Sequence, residues 1–133
     1  MRTWVLILAI SVTLGIAMNK NEIESATVKP TSKVLRHVVL YKFKNDLAPE
    51  KVQEVVDAFV GLSKKIDKIV GFEHGTNVSQ EGKSEGLTHC FVVTFRDEMG
   101  RATYLDHAAH QEFVKLVRER REKVVVFDYW ADK

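Results

Sequence analysis

Along residues 34–131 the apolar side chains repeat with a period of two, then with a helical period, in an order that leaves few folds open. His37, Val39, Tyr41 and Phe43 alternate onto one face of a first strand. A turn over Asn45–Pro49 follows, and Pro49 suits the first turn of a helix. Val52, Val55, Val56, Phe59, Leu62, Ile66 and Ile69 then recur at helical spacing. Gly71 and Gly75 interrupt Val70–Ser79, which reads as a weak edge strand. After a polar turn over Gln80–Gly86, Thr88–Arg96 is the clearest strand in the chain. Its His89, Phe91, Val93 and Phe95 alternate with Cys90, Val92, Thr94 and Arg96. Asp97 is a good N-cap for a second helix carrying Met99, Ala102, Leu105, Phe113, Leu116 and Val117. A bend is expected in it at His107–His110, and Lys123–Trp130 reads as the last strand.

The order β-α-β-β-α-β predicts an α+β, ferredoxin-like domain: a four-stranded antiparallel sheet with two helices on one face. The other face would carry Val38, Leu40, Val92, Val125 and Phe127. An apolar face of that size calls for cover, and the economical cover is a second copy packed sheet to sheet. A homodimer is therefore expected.

The segment before this domain differs in kind. Arg2 precedes an apolar run from Trp4 to Met18, with small residues at Gly15 and Ala17. This reads as a secretory signal over residues 1–17 with cleavage after Ala17. The run is short for a spanning helix, so no stable membrane anchor is expected once it is removed. Residues 18–33 are polar and read as a linker, and the domain occupies 34–131. The expected location is periplasmic or secreted.

Composition enters as exclusions. A formal charge of +2 is too small for a nucleic-acid partner, which needs a concentrated basic face. The single cysteine, Cys90, leaves no internal disulfide and no Cys-based zinc site. Cys90 alternates away from His89 and is expected to pack rather than react. His107 and His110 are spaced for a shared metal, but no close ligand set accompanies them, so neither a metal nor a cofactor is expected.

Four stretches carry a resemblance. They are His37-Val-Val-Leu-Tyr-Lys-Phe-Lys, Gly86-Leu-Thr-His89-Cys-Phe-Val-Val-Thr-Phe95, Tyr104-Leu-Asp-His107-Ala-Ala-His110 and Val126-Phe-Asp128-Tyr129. In this order they resemble the stress-responsive dimeric α/β barrel (Dabb) family over essentially all of the domain. Ala108 stands where the family pattern Tyr-x-x-His-Pro-x-His has proline. The resemblance implies two sheets joined in a dimeric α/β barrel. The family includes a plant polyketide cyclase whose catalytic tyrosine and histidine fall on Tyr104 and His110. Its other pocket histidines fall on His37, His89 and His107, and its supporting aspartate falls on Asp128. Phe59 replaces one of its pocket tyrosines. The implied ligand pocket is lined by His37, Val39, Tyr41, Phe59, His89, Phe113, Val124 and Val126.

The same residues have a chemical reading of their own. His110 is a candidate base near neutral pH, Asp128 a group to fix its tautomer, and Tyr104 a donor to a carbonyl or enolate oxygen. That set suits proton abstraction beside a carbonyl without a cofactor. His110 and Asp128 also read as a structural tie between helix and strand, His107 as a helix-bend residue, and His74 as solvated. Two functions stay open: a dimer that binds a small organic molecule, and an acid/base enzyme of cyclase, lyase or isomerase type.

Overall fold

The computed structural model describes residues 33–133, so the expected signal and most of the linker lie outside the described residues. Four strands and three helices follow in the order β1 (Lys33–Phe43), α1 (Pro49–Lys65), β2 (Gly71–Thr76), β3 (His89–Phe95), α2 (Glu98–Asp106), α3 (Ala108–Arg118) and β4 (Arg121–Asp132). The sheet is antiparallel with strand order β2-β3-β1-β4. This is the ferredoxin-like arrangement expected from the order of periodicities.

Alternation along the strands decides what each face carries. Leu35, His37, Val39, Tyr41 and Phe43 of β1 are buried, as are Phe91, Val93 and Phe95 of β3. Phe59 packs against this floor from α1, flat on Phe91 at 4.5 Å and beside Phe113 of α3 at 4.4 Å between ring centroids. Val55 and Leu62 extend the same contact along one stripe of α1, which ends at Lys65, so that Ile66, expected within the helix, packs from its extended C-cap and Ile69 lies beyond it.

The second helix is not one bent helix but two. His107 adopts an extended conformation (φ −67°, ψ 136°), and its Nδ1 accepts a hydrogen bond at 3.1 Å from the backbone N–H of Ala109. A capping side chain thus ends α2 and starts α3, and Ala108 occupies the first helical position, where proline would also fit. Asp97 caps α2 as expected, accepting from the Gly100 N–H at 2.8 Å.

Val38 lies opposite Val92 on β3 and Phe127 on β4, and Leu40 lies opposite Cys90 and Val125. These residues form one apolar stripe on the face away from the helices. Phe127 within it is 63% exposed. Burial raises the Cys90 thiol above its ordinary range, with the Glu73 carboxylate adding to the effect, so the thiol stays protonated near neutral pH.

Candidate active site

β1 and β4 pair so that His37 faces Asp128, Val39 faces Val126 and Tyr41 faces Val124, all on the helix-covered side. α2 lays Tyr104 over this row, and α3 adds His110 and Phe113. Together they enclose a cavity of about 390 Å³, also lined by Phe59, Arg101, Leu105, Val114 and Arg121. Its size and largely apolar wall suit a small organic ligand. Of the residues expected around a pocket, His37, Val39, Tyr41, Phe59, Phe113, Val124 and Val126 line it, with Tyr104, His110 and Asp128.

His89 does not line this cavity. It pairs with Tyr41 at the end of the sheet, edge-on to Phe43 at 5.0 Å, with Nδ1 hydrogen-bonded to Thr88 Oγ1 at 2.8 Å. It borders a separate hollow of about 450 Å³ between Leu40, Cys90, Val125 and the loop before β3. That hollow is the larger of the two, but it lacks the tyrosine, aspartate and His110. His107 is the helix cap described above. His74 is exposed as expected, although its ring also lies nearly parallel to Phe91 at 5.7 Å.

Asp128 does not hold His110. Its Oδ1 accepts from His37 Nδ1 at 2.7 Å and its Oδ2 accepts from Arg101 Nη1 at 2.5 Å. Both carboxylate oxygens are therefore committed to charge-assisted bonds. Arg101 was not foreseen. It sits one turn before Tyr104 on α2, and that i, i+3 spacing is the signal that would have placed it on the cavity side.

The tautomer of His110 is set by the backbone instead. Its Nδ1 lies 3.1 Å from the Leu105 carbonyl oxygen, which can only accept. Nδ1 therefore carries the proton, and in the neutral ring Nε2 keeps its lone pair. Burial lowers the pKa of His110. The Leu105 bond opposes this, and the nearby His37 and His107 reinforce it. The ring is thus neutral and basic at Nε2 near pH 7.

The phenol of Tyr104 packs against His110 at 4.2 Å, edge-on to His37 at 5.7 Å, and beside Phe95 at 5.1 Å. The residue is 1% exposed. Among the described residues no protein group bonds its hydroxyl, and no sealed side-chain polar atom lacks a partner, so the hydroxyl opens onto the cavity. Burial raises its pKa far above the ordinary phenol range, with Tyr41 and Asp128 contributing. It is a neutral donor rather than a phenolate, and a donor without a partner suits an oxygen that gains charge.

A pH effect on stability follows. Burial also lowers the pKa of His89, with His74 contributing. Below the ordinary histidine value of about 6.5, the unfolded chain therefore binds more protons at His89 and His110 than the folded chain does. Stability is expected to fall as pH drops from about 6.5 through the depressed folded values. Urea midpoints of the His89→Gln/His110→Gln double variant should vary less with pH over that window than those of the parent. An unchanged slope would remove these two groups as its source.

The fold and the cavity define a ferredoxin-like domain with an acid/base-capable, ligand-sized chamber between sheet and helices. The family model described as "Stress responsive A/B Barrel Domain" (Dabb) matches residues 35–131, and the chain belongs to this family. It is 36% identical over 95 residues to the stress-response A/B barrel domain-containing protein HS1 of Arabidopsis thaliana, covering 71% of this chain and 87% of that protein. It is 32% identical over 99 residues to olivetolic acid cyclase of Cannabis sativa, covering 74% and 98%. Among solved structures, a dimeric ferredoxin-like protein of unknown function from Jannaschia is similar at 27% identity with a TM-score of 0.63, covering 72% and 97%. The hydroxynitrile lyase of Passiflora edulis shares the fold, with a TM-score of 0.71 at 22% identity over 75% of this chain and 94% of that one.

Proposed function

We propose that this chain is exported, pairs as a homodimer, and binds a small organic molecule in the cavity between the sheet and α2–α3. The observation that carries the binding reading is the cavity itself. It combines an apolar wall with a neutral imidazole and an unbonded tyrosine hydroxyl at one end. A buried donor left open to a cavity is costly unless something bonds it, and water or a ligand oxygen can do so.

The neutral fluorophore N-phenyl-1-naphthylamine tests this reading. Its emission should rise on binding the parent protein. The rise should be lost in Val126→Trp, which places a large ring at the half-exposed wall of the cavity without disturbing the core. Binding that persists unchanged in this variant would locate the probe elsewhere and end the claim for this cavity.

A second reading, a cofactor-independent acid/base enzyme, is favoured by one specific observation. His110 offers a bare Nε2 beside the free hydroxyl of Tyr104. Nε2 would take a proton from carbon next to a carbonyl, and the Tyr104 hydroxyl would bond the enolate oxygen that results. The similarity to a cyclase over nearly its whole length supports the same reading. On a panel of β-keto compounds, His110→Gln and Tyr104→Phe should each abolish turnover while thermal midpoints stay close to the parent's. Turnover that survives both substitutions, or is absent from the parent, would leave the binding reading alone.

Pairing is supported by the exposed Phe127 on the apolar outer face and by the dimeric state of the Jannaschia protein. Export rests on the composition of residues 1–17. Protein recovered from periplasm or medium is expected to begin at Met18 and to sediment as a dimer. Phe127→Asp, which puts a charge into the stripe, should sediment as a single protomer. A parent protein with the mass of one protomer would overturn the pairing, and an intact Met1 would overturn the processing.

A further inference from the structure

The cavity has a second polar end, away from Tyr104 and His110. There the regular pairing of β1 with β4 breaks. Lys42 pairs with Lys123, but the next residue, Phe43, pairs with Arg121 rather than Glu122. Glu122 is the extra residue of a β-bulge, a device that re-aims the side chains beside it. In a regular ladder Glu122 would lie opposite Phe43, on the helix side, and Arg121 would point to the outer face. With the bulge, Glu122 reaches Lys42 at 2.7 Å, a residue of the outer face. Arg121 takes the place opposite Phe43 and lines the cavity. The bulge therefore puts a cation into this end of the chamber where regular pairing would put a carboxylate.

The other basic residues around it are occupied. Arg120 pairs with Glu54 at 2.7 Å, Lys123 with Glu85 at 2.7 Å, and Lys44 donates to the Glu119 carbonyl at 2.7 Å. At the far end of the cavity Arg101 is neutralised by Asp128. Among the described residues no carboxylate pairs with Arg121. Its charge is felt by the neighbouring Tyr41, whose phenol burial pushes up to about 12 while Arg121 pulls it back. Tyr41 is itself buried, and its hydroxyl, like that of Tyr104, has no protein partner among the described residues. A planar fork of N–H donors beside a neutral hydroxyl is a fit for a carboxylate.

Resting on the binding reading above, we infer that the ligand is an organic anion, its carboxylate held by Arg121 and the Tyr41 hydroxyl, its body along Val39, Val124 and Phe113, and its other end beside Tyr104 and His110. Tyr41 and His37, which line the cavity on β1, are four residues apart, roughly 13 Å of extended strand. The reach of the arginine and tyrosine side chains shortens the gap that a ligand must span. Tyr41 also lies near enough to Tyr104 to help raise its pKa, so a molecule of modest length with one acidic terminus reaches both groups.

Matched pairs of probes test the inference: octanoate against octanamide, and 4-phenylbutyrate against 4-phenylbutanamide, titrated calorimetrically into the full mature protein. The parent should bind each carboxylate more tightly than its amide. Arg121→Gln should weaken carboxylate binding about ten- to a hundredfold, bringing it level with the amide, whose own affinity should change little. Arg121→Lys should fall between, since it keeps the charge and loses the fork. Equal binding of acid and amide by the parent would overturn the inference and leave the cavity reading standing. A carboxylate preference that persists in Arg121→Gln would overturn the role of Arg121. Failure of all four probes to bind a protein that still binds N-phenyl-1-naphthylamine would overturn this inference alone, whereas failure of the fluorophore as well would overturn the cavity reading.

Discussion

Asp128→Ala is expected to lower folding stability by about 3 kcal/mol, read as a shift of the urea unfolding midpoint at pH 7. The carboxylate joins three elements: β4, on which it sits, β1 through His37, and α2 through Arg101. The His37 side chain is only 7% exposed, and that of Asp128 is 25% exposed. Removing the carboxylate leaves the His37 ring nitrogen, 7% exposed, and the Arg101 guanidinium, 28% exposed, without their acceptor. Desolvation of what remains, rather than the worth of the pair itself, makes up most of the loss. The partial exposure of Asp128 places the figure at the low end of the range for breaking a buried pair. A triple variant, His37→Phe/Arg101→Met/Asp128→Leu, should recover much of the stability because it removes the orphaned partners as well. A loss below about 1 kcal/mol in Asp128→Ala would mean that water replaces the carboxylate at little cost.

Phe59→Ala is expected to cost more, about 3–5 kcal/mol. The ring is 1% exposed and contacts Phe91, Phe113 and Phe72 at centroid distances of 4.5, 4.4 and 5.3 Å. These neighbours come from β3, α3 and β2, so they cannot all close in on the void. Phe59 also lines the cavity, and its removal should enlarge the chamber while the Tyr104–His110 end stays in place. Phe59→Leu keeps most of the volume and should cost about half as much. Equal losses in the two variants would show that ring stacking, rather than the void, sets the cost.

Much of this molecule was legible in its sequence because the relevant signals are local. The alternation of His89, Phe91, Val93 and Phe95 needs only the two-residue pleat to be read. The stripe from Val52 to Leu62 needs only the helical period. Asp97 caps α2 through a bond that spans three residues. The same alternation sorted the outer stripe of Val38, Leu40, Val92, Val125 and Phe127 from the cavity row of Val39, Val124 and Val126. Local patterns were less informative at His107, because a capping histidine and a bend in one continuous helix look alike until the backbone angles are known.

The site divides along the same line. Which residues gather in the cavity came from the family resemblance rather than from faces and spacing, which offered Tyr104 and His110 on a helix and His37 and Asp128 on strands without joining them. Which of them bond to one another came from neither. Asp128 belongs to His37 because the β1–β4 register sets those two residues opposite each other, and register is a relation between segments 91 residues apart. His110 draws its tautomer from the Leu105 carbonyl, which the break between α2 and α3 leaves free of its helical partner. Arg121 enters the cavity only because one extra residue, Glu122, bulges out of β4. The chain's own periodicity thus determined the elements, their order and the face on which each side chain stands. Register, helix termini and the bulge determined the partners, since a hydrogen bond depends on a few tenths of an ångström between distant segments, and only the folded arrangement sets that distance.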